Sequence, residues 1–134
     1  MRPYQQLRAW RACHELFVTL YGVTSKWPAH ERYGMTVQIR RAALSAGSNI
    51  AEGVVKHSPR EFARFLDVTL GSLSEVSYQL LAARDVGVAK NDEFEQLERL
   101  RDTASRLTWS LRRATLERLR STVDVRRQTV ARRP

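Results

Sequence analysis

Apolar residues return along this chain at alternating steps of three and four, the period of an amphipathic helix, and they do so in four separate stretches. The first runs from about Tyr4 to Lys26, with Leu7, Trp10, Cys13 or His14, Phe17, Leu20 and Tyr21 in register. Trp27-Pro28 ends it, because a proline pushes the residue before it out of helical geometry. The second begins between Glu31 and Met35 and carries Met35, Ile39, Ala42, Ala43, Ala46 and Ile50, with Gly53 as its stop. The third opens on Ser58-Pro59-Arg60-Glu61, where Ser58 caps, Pro59 suits the first turn and Glu61 reaches back to the cap amide. Phe62, Phe65, Leu66, Thr69, Leu73, Val76, Leu80 and Ala83 follow, and Gly87 closes the segment.

The fourth stretch starts at Asn91-Asp92-Glu93, a cap followed by two acids that complement the positive end of the helix dipole. Its seam is Leu97, Leu100, Ala104, Leu107, Leu111 and Ala114. Beyond Ser121 the pattern fades, so residues 1–122 are expected to form the domain and 123–134 a basic, disordered tail. Short connections force neighbouring helices antiparallel, and no strand-like alternation competes. The expected fold class is all-α, an antiparallel up-down-up-down four-helix bundle.

Charge changes the picture at one end. The net charge is +9, and eleven arginines lie at or beyond Arg99 with only Asp102, Glu117 and Asp124 against them, so that segment carries +8 and the rest +1. Concentrated basic charge is a footprint for a polyanion: RNA, DNA or an acidic protein face. Arg99, Arg106, Arg113, Arg120 and Arg127 recur every seventh residue and share one stripe of the fourth helix. Trp109, Leu116 and Val123 form a second stripe beside it, and Trp109 has Arg106, Arg112 and Arg113 three or four positions away. A subunit interface burying the tryptophan fits this pattern first. A nucleic-acid surface fits next, with arginines holding phosphates and the indole stacking a base, and a solvated basic face is the third reading. Because a straight helix drifts ~20° per seven residues, the row winds slowly around the bundle.

The second helix is rich in small residues, and Ala43, Gly47 and Ala51 repeat every fourth position as a smooth groove. Gln38, Asn49 and Glu52 sit among them, with Glu75 and Gln79 on the third helix as natural partners. A polar network that fixes helix register is favoured over a ligand site.

Other chemistry finds little footing. Cys13 is the only cysteine, which excludes an intrachain disulfide and a thiolate metal cluster. His14, His30 and His57 lie on separate segments without the Glu-x-x-His pairing of di-iron bundles, so neither metal nor cofactor is expected. No glycine-rich phosphate loop or strained nucleophile turn is present, and no enzymatic activity or small-molecule substrate is expected. The apolar run Leu16 to Val23 is broken by Thr19 and preceded by His14-Glu15, so it does not read as a signal-peptide core. With no run approaching the ~20 residues that span a bilayer, the expected location is the cytoplasm, without membrane association.

Several motifs in fixed order resemble a known family. Gln38-Ile39-Arg40-Arg41-Ala42-Ala43, Ser48-Asn49-Ile50-Ala51-Glu52-Gly53, Glu61-Phe62-Ala63-Arg64-Phe65-Leu66, Gly71-Ser72-Leu73 and Gln79-Leu80 carry the resemblance, with Trp27-Pro28, Glu31 and Tyr33-Gly34 upstream. Together, over about residues 7 to 90, they resemble the four-helix-bundle proteins encoded in intervening sequences of bacterial 23S ribosomal RNA genes. The chain departs from that pattern at Val54-Val55, where the family often has a glycine and a basic residue. The resemblance implies an up-down bundle, a homo-oligomer with a five-membered ring known in the family, and no enzyme activity. It also implies an association with RNA or a nucleoprotein, suggested by gene location, and kinship with accessory proteins of reverse transcriptases.

Overall fold

The computed structural model describes residues 1–133, and Pro134 lies outside the described residues. A short 3-10 turn, Pro3–Gln6, leads into α1 (Arg8–Thr24), followed by α2 (Met35–Gly53), α3 (Pro59–Asp85) and α4 (Asn91–Ala131). Contacts join α1 to α2, α2 to α3, α3 to α4 and α4 back to α1, while the diagonal pairs do not meet. Neighbours run antiparallel: Ser45 and then Gly53 of α2 lie against Ser72 and then Phe65 of α3, and Asp67 and then Ser77 of α3 meet Arg112 and then Glu98 of α4. The fold is therefore the expected all-α, up-down four-helix bundle.

The helix ends follow local chemistry. Ser58 Oγ accepts the Glu61 amide at 3.1 Å and Pro59 occupies the first turn of α3, though the return bond from the Glu61 side chain is not made. On α4 the cap is Lys90 rather than Asn91, and the Lys90 amide donates to Glu93 Oε1 at 3.0 Å. Gly87, with φ of +80°, turns the chain out of α3 in the left-handed region that glycine occupies without strain.

Gly53 has a different role from the one its position suggests. Its φ is not positive; it is glycine because a Cβ there would lie 2.6 Å from Phe65 Cβ and 2.9 Å from Phe62 Cδ2. The close approach of α2 to the start of α3 depends on that missing methyl.

The core runs through Leu16, Leu20, Ile39, Ile50, Leu66, Leu73, Leu80 and Leu97, all essentially inaccessible. On α1 the inward seam is Ala9, Cys13, Leu16, Leu20 and Thr24; Cys13 and Leu20 are buried as expected, but Trp10 and Phe17 are only half-buried and Tyr21 is exposed. On α4 the expected Ala114 is exposed, and Thr108 and Thr115 are fully buried instead. Each satisfies its own hydroxyl by donating to the carbonyl four residues back, Ala104 and Leu111, at 2.8 Å. The helix also continues through the stretch expected to be disordered. Nothing from Arg120 to Ala131 is glycine or proline, so no breaker stops propagation from the packed turns, although every described residue from Arg120 onward is exposed.

Two outcomes follow from this packing. Gly53→Ala destabilises the bundle by about 1–3 kcal/mol in urea denaturation, although alanine is the better helix former, because overpacking against Phe62 and Phe65 outweighs propensity. Burial pushes the Cys13 thiol up from 9.0 to about 12, partly offset by a hydrogen bond with Thr108. The unfolded chain then loses this proton first, so the contribution of Cys13 to stability is intact below pH 9.0, declines as pH rises toward about 12, and is absent in Cys13→Ala.

Candidate partner-binding surface

Helix α4 packs against α3 and α1 and turns its remaining side to solvent. Arg99, Arg106, Arg113, Arg120 and Arg127 are all exposed there. Only Arg106 is paired, to Asp102 Oδ2 at 3.1 Å on the adjacent turn; among the described residues no carboxylate is within ion-pair distance of the other four. An exposed pair one turn apart is worth only about 0.3–0.5 kcal/mol, so Arg106 is readily released to another anion.

Arg112 has a different fate. Its Nε donates to Asp67 Oδ1 at 2.6 Å and its guanidinium lies 5.6 Å from the centre of the Trp109 ring. It therefore ties α4 to α3 and holds the indole, rather than standing free with the arginine row. Trp109 is 50% exposed. With Arg113, Leu116, Glu117 and Arg120 it borders a shallow depression on the outward side of the helix. The structure thus brings together the middle of the predicted set, Trp109 with Arg112, Arg113 and Arg120, and leaves Arg99 and Arg127 further along the same helix.

A second basic surface escaped the sequence reading. Lys56 and His57 of the α2–α3 loop face Arg118 and Thr122 of α4 across a cleft floored by Phe62. Heptad counting along one helix does not reveal it, because its charges come from two segments far apart in sequence.

The expected polar network forms only in part. Gln38 and Glu52 are exposed, and neither side chain makes a hydrogen bond. Gln79 Nε2 donates to Glu75 Oε1 at 3.3 Å within α3, leaving Gln79 Oε1 buried without a partner. Asn49 is half-buried and bonds within α2, donating to Ser45 O at 2.8 Å and Ser45 Oγ at 3.1 Å. The link across α2 and α3 is made by hydroxyls, Ser45 to Ser72 and Thr69 Oγ1 to Ala46 O at 2.8 Å. Where axes approach this closely, hydroxyls fit between the backbones and longer amides are pushed to the rim.

The groove of Ala43, Gly47 and Ala51 is real, and it is partly filled from within. Trp10 lies over Gly47, 3.5 Å from where a Cβ would sit, and stacks on His14 with ring centroids 4.8 Å apart. Tyr4 packs against the same indole at 4.9 Å. Arg40, within the first resemblance motif, ties α1 to α2: its Nε donates to Thr24 Oγ1 at 2.9 Å, and its guanidinium reaches Tyr21 O at 3.2 Å and covers the Tyr21 ring at 3.7 Å. It serves the negative end of α1 as a helix C-cap.

Among the described residues no group of three or more His, Cys, Asp or Glu could hold a metal ion. No described helix is long and apolar enough to cross a membrane.

Comparisons with known proteins agree with this architecture. In three dimensions the chain is similar to the crystal structure of a protein of unknown function from the S23 ribosomal protein family of Bacteroides thetaiotaomicron. The TM-score is 0.69 at 21% identity, covering 77% of this chain and 96% of that one, a likeness of fold. No curated protein matches the chain. The model of the 23S rRNA-intervening sequence proteins matches residues 5–110, from the first turn to the middle of α4, and the chain belongs to that family.

Proposed function

We propose that this chain is a non-catalytic, homo-oligomeric binding protein that engages RNA through the outward arginine row of α4, either bare or within a ribonucleoprotein. The observation that carries the reading is the exposure of Arg99, Arg106, Arg113, Arg120 and Arg127 along one helix, with a single weak ion pair among them. Residues seven apart on a helix are about 10.5 Å apart along its axis, close enough for successive arginines to meet phosphates of one strand. The half-exposed Trp109 beside Arg113 offers the flat surface on which a base stacks. Val18, Leu44, Val68 and Tyr78 are each at least half exposed, and apolar surface of this kind supports assembly with further copies.

One observation favours a second reading, that of a structural or adaptor protein. Trp109 and Leu116 adjoin on the surface with arginines around them, as in the buried centre of a subunit contact. On that reading Trp109→Ala yields monomers in light scattering, and an unchanged assembly counts against it.

The leading reading is tested by fluorescence anisotropy with a labelled single-stranded RNA. Neutralisation of three phosphates gives a log affinity that falls with log salt at a slope of about −2. The triple change Arg106→Glu, Arg113→Glu and Arg120→Glu abolishes binding while the assembly mass is retained. Absence of RNA retention by the wild-type chain at low salt contradicts the proposal.

A further inference from the structure

The passage from α1 into α2 leaves two buried polar groups without partners, and both belong to residues that border one cavity. Residues 25–34 carry the chain between the two helices. Trp27 folds back into the bundle there and is 7% exposed, while Thr36, in the first turn of α2, is 6% exposed. Among the described residues neither the Trp27 indole Nε1–H nor the Thr36 hydroxyl has a hydrogen-bond partner. The four other buried threonines, Thr24, Thr69, Thr108 and Thr115, all donate to backbone carbonyls. Thr36 is thus an exception to a rule that the fold otherwise keeps, and such exceptions mark places with a task other than packing.

Trp27 and Thr36 both line a cavity of about 330 Å³ enclosed by the end of α1, the 25–34 segment and the start of α2. Arg32 and Arg40 line it with them. Arg40 gives its Nε and Nη2 to Thr24 Oγ1, Tyr21 O and Ser25 Oγ, which leaves Nη1 without an acceptor. The exposed side chain of Arg32 makes no hydrogen bond, and neither guanidinium has a carboxylate within ion-pair distance among the described residues. No acid lines the cavity; the neighbouring Glu31 accepts the Met35 amide at 3.2 Å and stands outside the lining. The groups left free at this place are therefore all able to donate: an indole N–H, a hydroxyl and the N–H groups of two arginines. Thr36 also brings the positive end of the α2 dipole to the cavity.

An oxyanion is the complement of such a set, and charge and donor number select among oxyanions. A phosphate group carries about −1.5 to −2 near pH 7 and three strong acceptor oxygens, which matches two guanidiniums and two neutral donors. A carboxylate, with one charge and two oxygens, leaves part of the set unused. The folded chain has already desolvated the indole N–H and the hydroxyl, so an acceptor that reaches them gains both bonds without that cost. We propose that this cavity binds phosphate, free or as the monoester of a small molecule. Arg32 and Arg40 supply the charge, and Trp27 and Thr36 supply fixed donors that orient the oxygens. The site uses no residue of α4, so it stands or falls apart from the RNA reading.

The test follows the indole N–H signals of the full chain by heteronuclear NMR, the three tryptophans being told apart with Trp10→Phe and Trp109→Phe. The Trp27 signal is expected to shift saturably with inorganic phosphate or with glycerol phosphate below about 10 mM, and far less with acetate. Whichever of the two phosphates binds tighter tells a free-phosphate site from a monoester site. Arg32→Ala is expected to weaken binding roughly tenfold through loss of a charge-assisted bond. Thr36→Val is expected to weaken it by a similar factor, yet to leave the thermal midpoint of the free chain equal or higher, because an apolar group replaces an unpaired hydroxyl. An unmoved Trp27 signal would mean that the two groups serve the fold alone, and would overturn the proposal. A response to acetate equal to that to phosphate, or a phosphate response undiminished in either variant, would overturn it as well.

Discussion

The closeness with which α2 meets its neighbours governs the rest of the molecule. Ala42, Ala43 and Ala46 leave its buried side almost smooth, so the Thr69 hydroxyl can reach the backbone carbonyl of Ala46, and Phe62 and Phe65 can nest where Gly53 has no Cβ. These contacts leave one register for α3. Asp67 and Ser77 on α3 then hold α4 through Arg112 and Glu98, so the rotation of the fourth helix about its own axis traces back to the small residues of the second. That rotation decides which arginines face water. A larger side chain at Gly53 would therefore disturb a surface that lies on another helix.

The bundle solves its buried polar problem with short hydroxyls rather than with charges or amides. Thr24, Thr69, Thr108 and Thr115 are buried, and each donates to a backbone carbonyl. A hydroxyl satisfied in this way brings neither the desolvation cost of an ion nor the length of an amide. The ionic groups stay out of the core: Arg112 pairs closely with Asp67 and Arg101 with Glu98, each at 2.6 Å, while most of the outward arginine row of α4 has no carboxylate beside it. That separation leaves the α4 surface free to carry a large positive charge without a cost to the core.

The four helices and their order were legible because apolar spacing and breakers are local signals. The seam of α1 is legible at Cys13 and Leu20 but shifts by one position elsewhere, since Trp10, Phe17 and Tyr21 dominate any hydrophobic count while Ala9 and Leu16 hold the interior. The aromatics sit at the edge, where they stack on His14, pack on one another and take a cation from Arg40. Thr108 and Thr115 were invisible as core because threonine reads as polar until its hydroxyl is seen to bond back along the helix. Gln38 and Glu52 go the other way: their place among small residues suggests burial, but they lie off the face of α2 that Ile39, Ala42, Ala43, Ala46 and Ile50 bury, and so meet solvent. The arginine row was legible as a row, whereas the tie of Arg112 to Asp67 depends on tertiary contact and was not. For the end of α4 no burial signal exists in either direction, and helix persists there because nothing in the sequence stops it.

The account divides the chain into a cooperative frame and an uncommitted helical extension that begins near Arg120. Residue-resolved hydrogen exchange on the isolated chain tests that division directly. Amides of Leu16, Leu66, Leu73 and Leu97 should open only with global unfolding, while those from Val125 to Ala131 should exchange within a small factor of unfolded rates, despite helical chemical shifts. Core-level protection at Val123 to Val130 in the isolated chain would mean that the extension is already covered, and would contradict the account.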